Sequence, residues 1–162
     1  MAQSKDSNSL LDTTSLGEIS WGRVAIVHTE WNDAIVAEQI AGAKRIFFQH
    51  GVTKVDYFTV PGSVELTYAC KHAARFADAI IAFGAVIRGG TPHFDYVCKS
   101  VTEGITQLNI ILDVPVIFGV LTLDNEEQAW ERLGGIHGHK GEEAAIAALK
   151  MLQLKRILDK TI

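Results

Sequence analysis

A chain of 162 residues, 48% of them hydrophobic and 21% charged, is one ordinary globular domain long enough to bury a sizeable core. Its formal net charge of −4, with lysine and arginine scattered rather than clustered, excludes the electrostatic footprint of a nucleic-acid binder. The apolar runs stop well short of a bilayer span, and the N-terminus lacks the basic-then-apolar plan of a signal peptide, so no membrane partner and a cytoplasmic location are expected.

Residues 1–17 are rich in Ser, Asp, Thr and Asn without an apolar period and read as a mobile N-terminal arm, which leaves 18–162 as a single domain. Val24, Ala25, Ile26 and Val27 in a row make Arg23 to His28 a short buried strand, followed by Thr29-Glu30-Trp31-Asn32. Asn32 is a good N-cap for a helix whose apolar residues, Ile35, Val36, Ile40, Ala43, Ile46 and Phe47, recur at helical spacing until Gly51 closes it. Val55 to Val60 is the second strand, and Pro61-Gly62-Ser63 turns into a helix with Leu66, Ala69, Cys70, Ala73 and Ala74 on its apolar face. Ala79 to Ala85 is a continuous apolar run, as in a parallel strand covered on both sides. Thr91-Pro92 supplies an N-cap and first helical residue for a long helix to Leu112, striped by Val97, Val101, Ile105, Leu108 and Leu112. Pro115 opens a fourth strand, Val116 to Leu121. Asp124-Asn-Glu-Glu127 has the form of a capping box that starts a short helix to Arg132. A glycine-rich stretch, Gly134 to Gly141, separates this from a final helix, Glu142 to Leu158, with Ala145, Ala148, Leu149 and Leu152 inward. Cys70 and Cys98 fall within helices, lack any CxxC spacing, and read as structural thiols. Apolar strands alternating with helices predict a flavodoxin-like three-layer α/β/α sandwich, with a four-stranded parallel sheet and helices on both faces.

In such a fold ligands sit at the carboxyl ends of the strands. There the sequence places Trp31 and Asn32, then Ser63, Val64 and Glu65, then Arg88 to His93, then Thr122 to Asp124. The loop Gly84 to Val97 is an anion site by construction: glycines let the backbone approach a ligand, and the amides of the next helix point at it. A phosphate or a carboxylate would fit, with His93 in the first turn able to exchange protons near neutral pH. An ordinary strand-to-helix turn with a surface histidine would carry the same residues. A core or interface role would equally explain Trp31, and a helix-dipole role would explain Glu65.

Trp31-Asn32, Val60-Pro-Gly-Ser-Val-Glu-Leu66, Gly84 to Val97, Val114 to Thr122 and Glu126 to Arg132 together resemble the lumazine synthase family, in order and at family spacing, from about residue 22 to 154. The resemblance implies a transferase that condenses 5-amino-6-(D-ribitylamino)uracil with 3,4-dihydroxy-2-butanone 4-phosphate. The products are 6,7-dimethyl-8-ribityllumazine, phosphate and water, the penultimate step of riboflavin biosynthesis, with no cofactor or metal. It implies that Trp31 stacks on the pyrimidine with Asn32 beside it, that Ser63, Val64 and Glu65 hold the ribityl chain, and that the backbone of Ala85, Val86 and Ile87 pairs with the pyrimidine edge. Gly90 and Thr91 match the phosphate loop, His93 the proton-transfer residue, and Arg132 the phosphate-binding arginine with Lys140 near it. Phe118 matches an aromatic that closes the site from a neighbouring subunit. Two positions depart from the pattern: Trp31 replaces the more usual Phe, and Val64 occupies a position of varying side-chain size. The short stretch 134–141 is that of members that build a 60-subunit shell rather than stopping at pentamers, so a homo-oligomer with shared sites is expected. The large indole face suggests riboflavin binding as well. A binding module without turnover is the alternative; intact His93 and Arg132 argue against it.

Overall fold

The structure, a computed structural model, describes residues 12–160. β1 (Arg23–Thr29), β2 (Lys54–Val60), β3 (Ala79–Ile87) and β4 (Val116–Leu123) form a sheet in the order β2-β1-β3-β4, every neighbouring pair parallel. Successive side chains of a strand point to opposite faces, and here both faces are dry. One face carries Val24, Ile26, Ala79, Ile81 and Phe83 against α1 (Asp33–Gln49) and α5 (Lys140–Asp159). The other carries Ala25, Val27, Ile80, Ala82 and Val120 against α2 (Leu66–Ala73) and α3 (His93–Ile111). The expected three-layer, flavodoxin-like sandwich with a four-stranded parallel sheet is what forms. Among the described residues no helix is long and apolar enough to cross a membrane.

Several boundaries differ from the sequence expectation for local reasons. Of the arm expected over 1–17, residues 1–11 lie outside the described residues, while Leu16 is buried in the α1/α5 core. Asn32 does precede α1, but at φ 59° and without a side-chain cap bond, since its amide is engaged across the cleft. The turn after β2 begins as a 3₁₀ turn, Ser63–Glu65, before α2. α3 starts at His93 with Pro92 in the cap position, one residue later than the expected Thr91 cap, and Thr91 Oγ1 still accepts from the His93 amide at 3.4 Å. The capping box is shifted by one residue: Gln128 N donates to Asn125 Oδ1 at 3.0 Å and Asp124 N donates to Gln128 Oε1 at 2.9 Å, ahead of α4 (Glu127–Glu131). The glycine-rich stretch is not all loop; β5 (Leu133–Gly135) and β6 (Gly138–His139) pair antiparallel. Gly51 closes α1 with a positive φ of 69°, as expected. Both cysteines are free, and burial pushes the Cys70 thiol up to about 12, which suits a structural thiol.

Candidate active site

β3 runs longer than β1. Its pairing with β1 ends at His28↔Phe83, whereas its pairing with β4 continues to Ile87↔Leu123. The end of β3 therefore has one edge without a strand partner. Peptide groups alternate along a parallel strand, and because Arg88 N donates to Leu123 O on the β4 side, those of Ala85 and Ile87 face the open edge while those of Val86 face β4. Asn32 occupies part of this edge: its Nδ2 donates to the Ala85 carbonyl at 2.8 Å. Asn is among the few residues that tolerate the left-handed backbone this requires.

Around that edge lies a cleft of about 490 Å³, a size that suits a small organic ligand. Trp31, Asn32, Ser63, Val64, Glu65, Ala85, Val86, Ile87 and His93 line it, together with Gly62 and Val97, which sequence reasoning did not assign. Gly84 makes this possible. A Cβ there would come within 3.1 Å of Ser63 Oγ and Thr29 Cγ2, so a side chain at this position would push the 3₁₀ turn or Thr29 back by a few tenths of an ångström. Trp31 is 73% exposed, its ring left mostly open by the described residues. At Gly89 and Gly90 a Cβ would meet nothing within 4 Å, so their chain gives no packing reason for glycine. Arg88 braces this loop: its Nε bonds Asp124 at 3.0 Å, one terminal nitrogen bonds Asp95 at 3.3 Å, and the guanidinium lies 4.1 Å from the Phe94 ring centroid. These contacts join the ends of β3 and β4 to the first turn of α3; the sequence placed Arg88 and Asp124 at the rim but did not pair them.

Phe118, Arg132 and Lys140 lie elsewhere. They line a second groove of about 400 Å³ along the open edge of β4, walled by Ala144 and Ala147 of α5. No residue lines both hollows. Phe118 is 39% exposed there. Arg132 NH1 donates to the Gln128 carbonyl at 2.9 Å, and Lys140 Nζ pairs with buried Glu143 at 2.7 and 2.9 Å. Arg132 also has Glu131 at 3.6 Å. The chain thus holds a cleft with an aromatic plane and a histidine, and a separate groove with an aromatic and two cations.

The profile of the 6,7-dimethyl-8-ribityllumazine synthase family matches residues 22–156 of the chain. The chain belongs to that family. The 6,7-dimethyl-8-ribityllumazine synthase of Porphyromonas gingivalis is 52% identical over 139 residues, 83% of this chain and 86% of that protein. That of Parabacteroides distasonis is 44% identical over 156 residues, 94% of this chain and 98% of the relative, and that of Christiangramia forsetii is 45% identical over 161 residues. In this lumazine synthase chain the matched stretch takes in the cleft and the groove alike, from β1 to α5.

Proposed function

We propose that this chain condenses 5-amino-6-(D-ribitylamino)uracil with 3,4-dihydroxy-2-butanone 4-phosphate, in the cytoplasm, at sites formed between adjacent copies in a ring. Each site joins the cleft of one copy to the groove of the next. The observation that carries this reading is the division of the family's site residues, Gly90 and Thr91 of the adjoining loop aside, between two hollows that share no residue. A head-to-tail contact, with the β4 edge of one copy over the neighbour's cleft, would unite them, and such contacts close into rings. In the joined site Trp31 stacks on the pyrimidine, whose edge meets the Ala85 amide and the peptide groups of Ile87, the Ala85 carbonyl being held by Asn32. Ser63, Val64 and Glu65 receive the ribityl chain. Gly90 and Thr91 face the phosphate from one side, with Arg132 and Lys140 of the neighbour on the other, and Phe118 of the neighbour closes the pocket.

The pyrimidine amine attacks the ketone, the carbinolamine loses water, phosphate leaves by β-elimination, the resulting enol becomes a ketone, and the ribityl-bearing nitrogen closes the ring onto that carbonyl with loss of a second water. Each step moves a proton, which one imidazole, that of His93, can shuttle as acid and then base for roughly 10²–10⁴-fold in rate. The larger share comes from holding two substrates in register, because the amine is already a competent nucleophile.

Subunit mixing tests the shared site. His93→Ala and Arg132→Ala proteins are each impaired in different halves. Unfolded together and reassembled, they should regain activity above either parent, since about a quarter of heterologous contacts in a randomly mixed ring join two intact halves. Activity that stays at the average of the parents would place the whole site within one chain.

A further inference from the structure

Arg132 and Lys140 bracket the β5–β6 hairpin, and His139 fastens that hairpin to the body. The His139 ring is buried at 7% exposure, lodged where a Cβ on Gly42 of α1 would overlap it. Glu142 N donates to His139 Nδ1 at 3.3 Å, which makes a histidine the N-cap of α5. Among the described residues no other helix receives a side-chain bond from its N-cap residue. With Nδ1 accepting, the ring proton belongs on Nε2, 3.0 Å from Glu38 Oε1. Arg45 closes the circuit: its Nε lies 2.8 Å from Glu142 Oε1 and its terminal nitrogens 3.3 Å from Glu38 Oε1. The bond from His139 is the foremost cause holding the Glu38 carboxyl below its ordinary range.

Lys140 follows directly, as the first residue of α5, where the helix dipole opposes a cation. It is held there by two contacts. Its amide donates to the Arg132 carbonyl at 2.8 Å, and its ammonium pairs with Glu143 one turn on. Both contacts fall at the start of α5, beside the His139 cap.

We propose that His139 is a positioning residue for phosphate recognition, fixing the spacing and direction of Arg132 and Lys140 through its cap on α5 and its bond to Glu38. The proposal rests on the reading of Arg132 and Lys140 as the phosphate-holding pair. His139 itself touches no substrate.

The test is steady-state kinetics on the assembled protein with each substrate varied, for His139→Leu, His139→Asn and Arg132→Ala. Leucine fills most of the ring's volume but offers no acceptor; asparagine restores a good N-cap. His139→Leu should raise the KM for the phosphate-bearing substrate by about five- to tenfold, roughly the strength of one cap, with kcat and the KM for the pyrimidine within about twofold. Inorganic phosphate should weaken as a competitive inhibitor in parallel, and His139→Asn should recover most of the loss. An unchanged phosphate KM in His139→Leu beside a raised one in Arg132→Ala overturns the role of His139 and leaves the phosphate pair standing. No change in Arg132→Ala removes the pair and the proposal with it. A His139→Leu protein that loses kcat and both KM values together has a structural histidine only, which also overturns the proposal. If His139→Leu does not assemble, Glu38→Gln decides: it keeps an acceptor for Nε2–H but loses the charge, and should raise the phosphate KM alone by about two- to threefold. No rise there overturns the proposal.

Discussion

Trp31 is the residue whose two readings differ most in consequence, because an indole 73% exposed in its own chain is either a ligand platform or an interface plug. Trp21 is covered by Arg156 at 4.4 Å, and Trp130 leans on Glu126 through Nε1 at 3.4 Å, so neither faces the cleft. Stacking on Trp31 adds about 0.5–1.5 kcal/mol beyond area burial. Riboflavin should therefore quench the fluorescence saturably in the wild type and much less in Trp31→Tyr, with particle size unchanged; equal quenching in both, or a mutant that dissociates, assigns Trp31 to the interface. The place of His93 beside the cleft was legible in the sequence because it follows from the strand-loop-helix pattern, whereas Arg132 was singled out only by the family resemblance and lies in the separate groove. Asn32 was legible only in part. Its amide can serve its own helix or a strand 53 residues away, and spacing along the chain registers only the first option.

At the scale of elements, the strands and long helices were read nearly end to end, because a covered parallel strand and a two-sided helix leave strong periodic marks in sequence. The β5–β6 hairpin left none: strands of three and two residues are too short for a period, and their pairing rests on the His139 and Arg132 contacts instead. The same holds for the fastening between α3 and β4. Asn109 of α3 donates to the Val116 carbonyl at 2.8 Å and accepts from the Val116 amide at 2.9 Å, matching both backbone groups of a residue only 3% exposed. Asn109→Ala strands both groups and should lower unfolding free energy by about 1–3 kcal/mol, seen as a drop in urea midpoint. Asn109→Asp keeps the acceptor and should lose less. A midpoint unmoved by Asn109→Ala would mean that water replaces both bonds.

At the scale of the whole molecule, large apolar side chains are left outside: Phe48 at 88%, Ile136 at 81% and Tyr68 at 72% exposure, besides Phe118 in the β4 groove. In the proposed ring these side chains are available for contacts between copies. Light scattering at micromolar concentration should find at least a pentamer, and the short 134–141 stretch favours the 60-subunit shell; a monomer would end the shared-site reading. The two faces of the sheet also differ in where their covering comes from. The α2/α3 face draws on residues from Ala25 to Val120, whereas the α1/α5 face joins Leu16, Ile19 and Val24 to Ala145, Leu149 and Leu152. During synthesis the first face can close while the second still lacks its last helix. At roughly 5–20 residues per second the nascent chain then waits on the order of seconds with Ile81 and Phe83 covered by α1 alone, the interval in which a chaperone or another unfinished chain would find it.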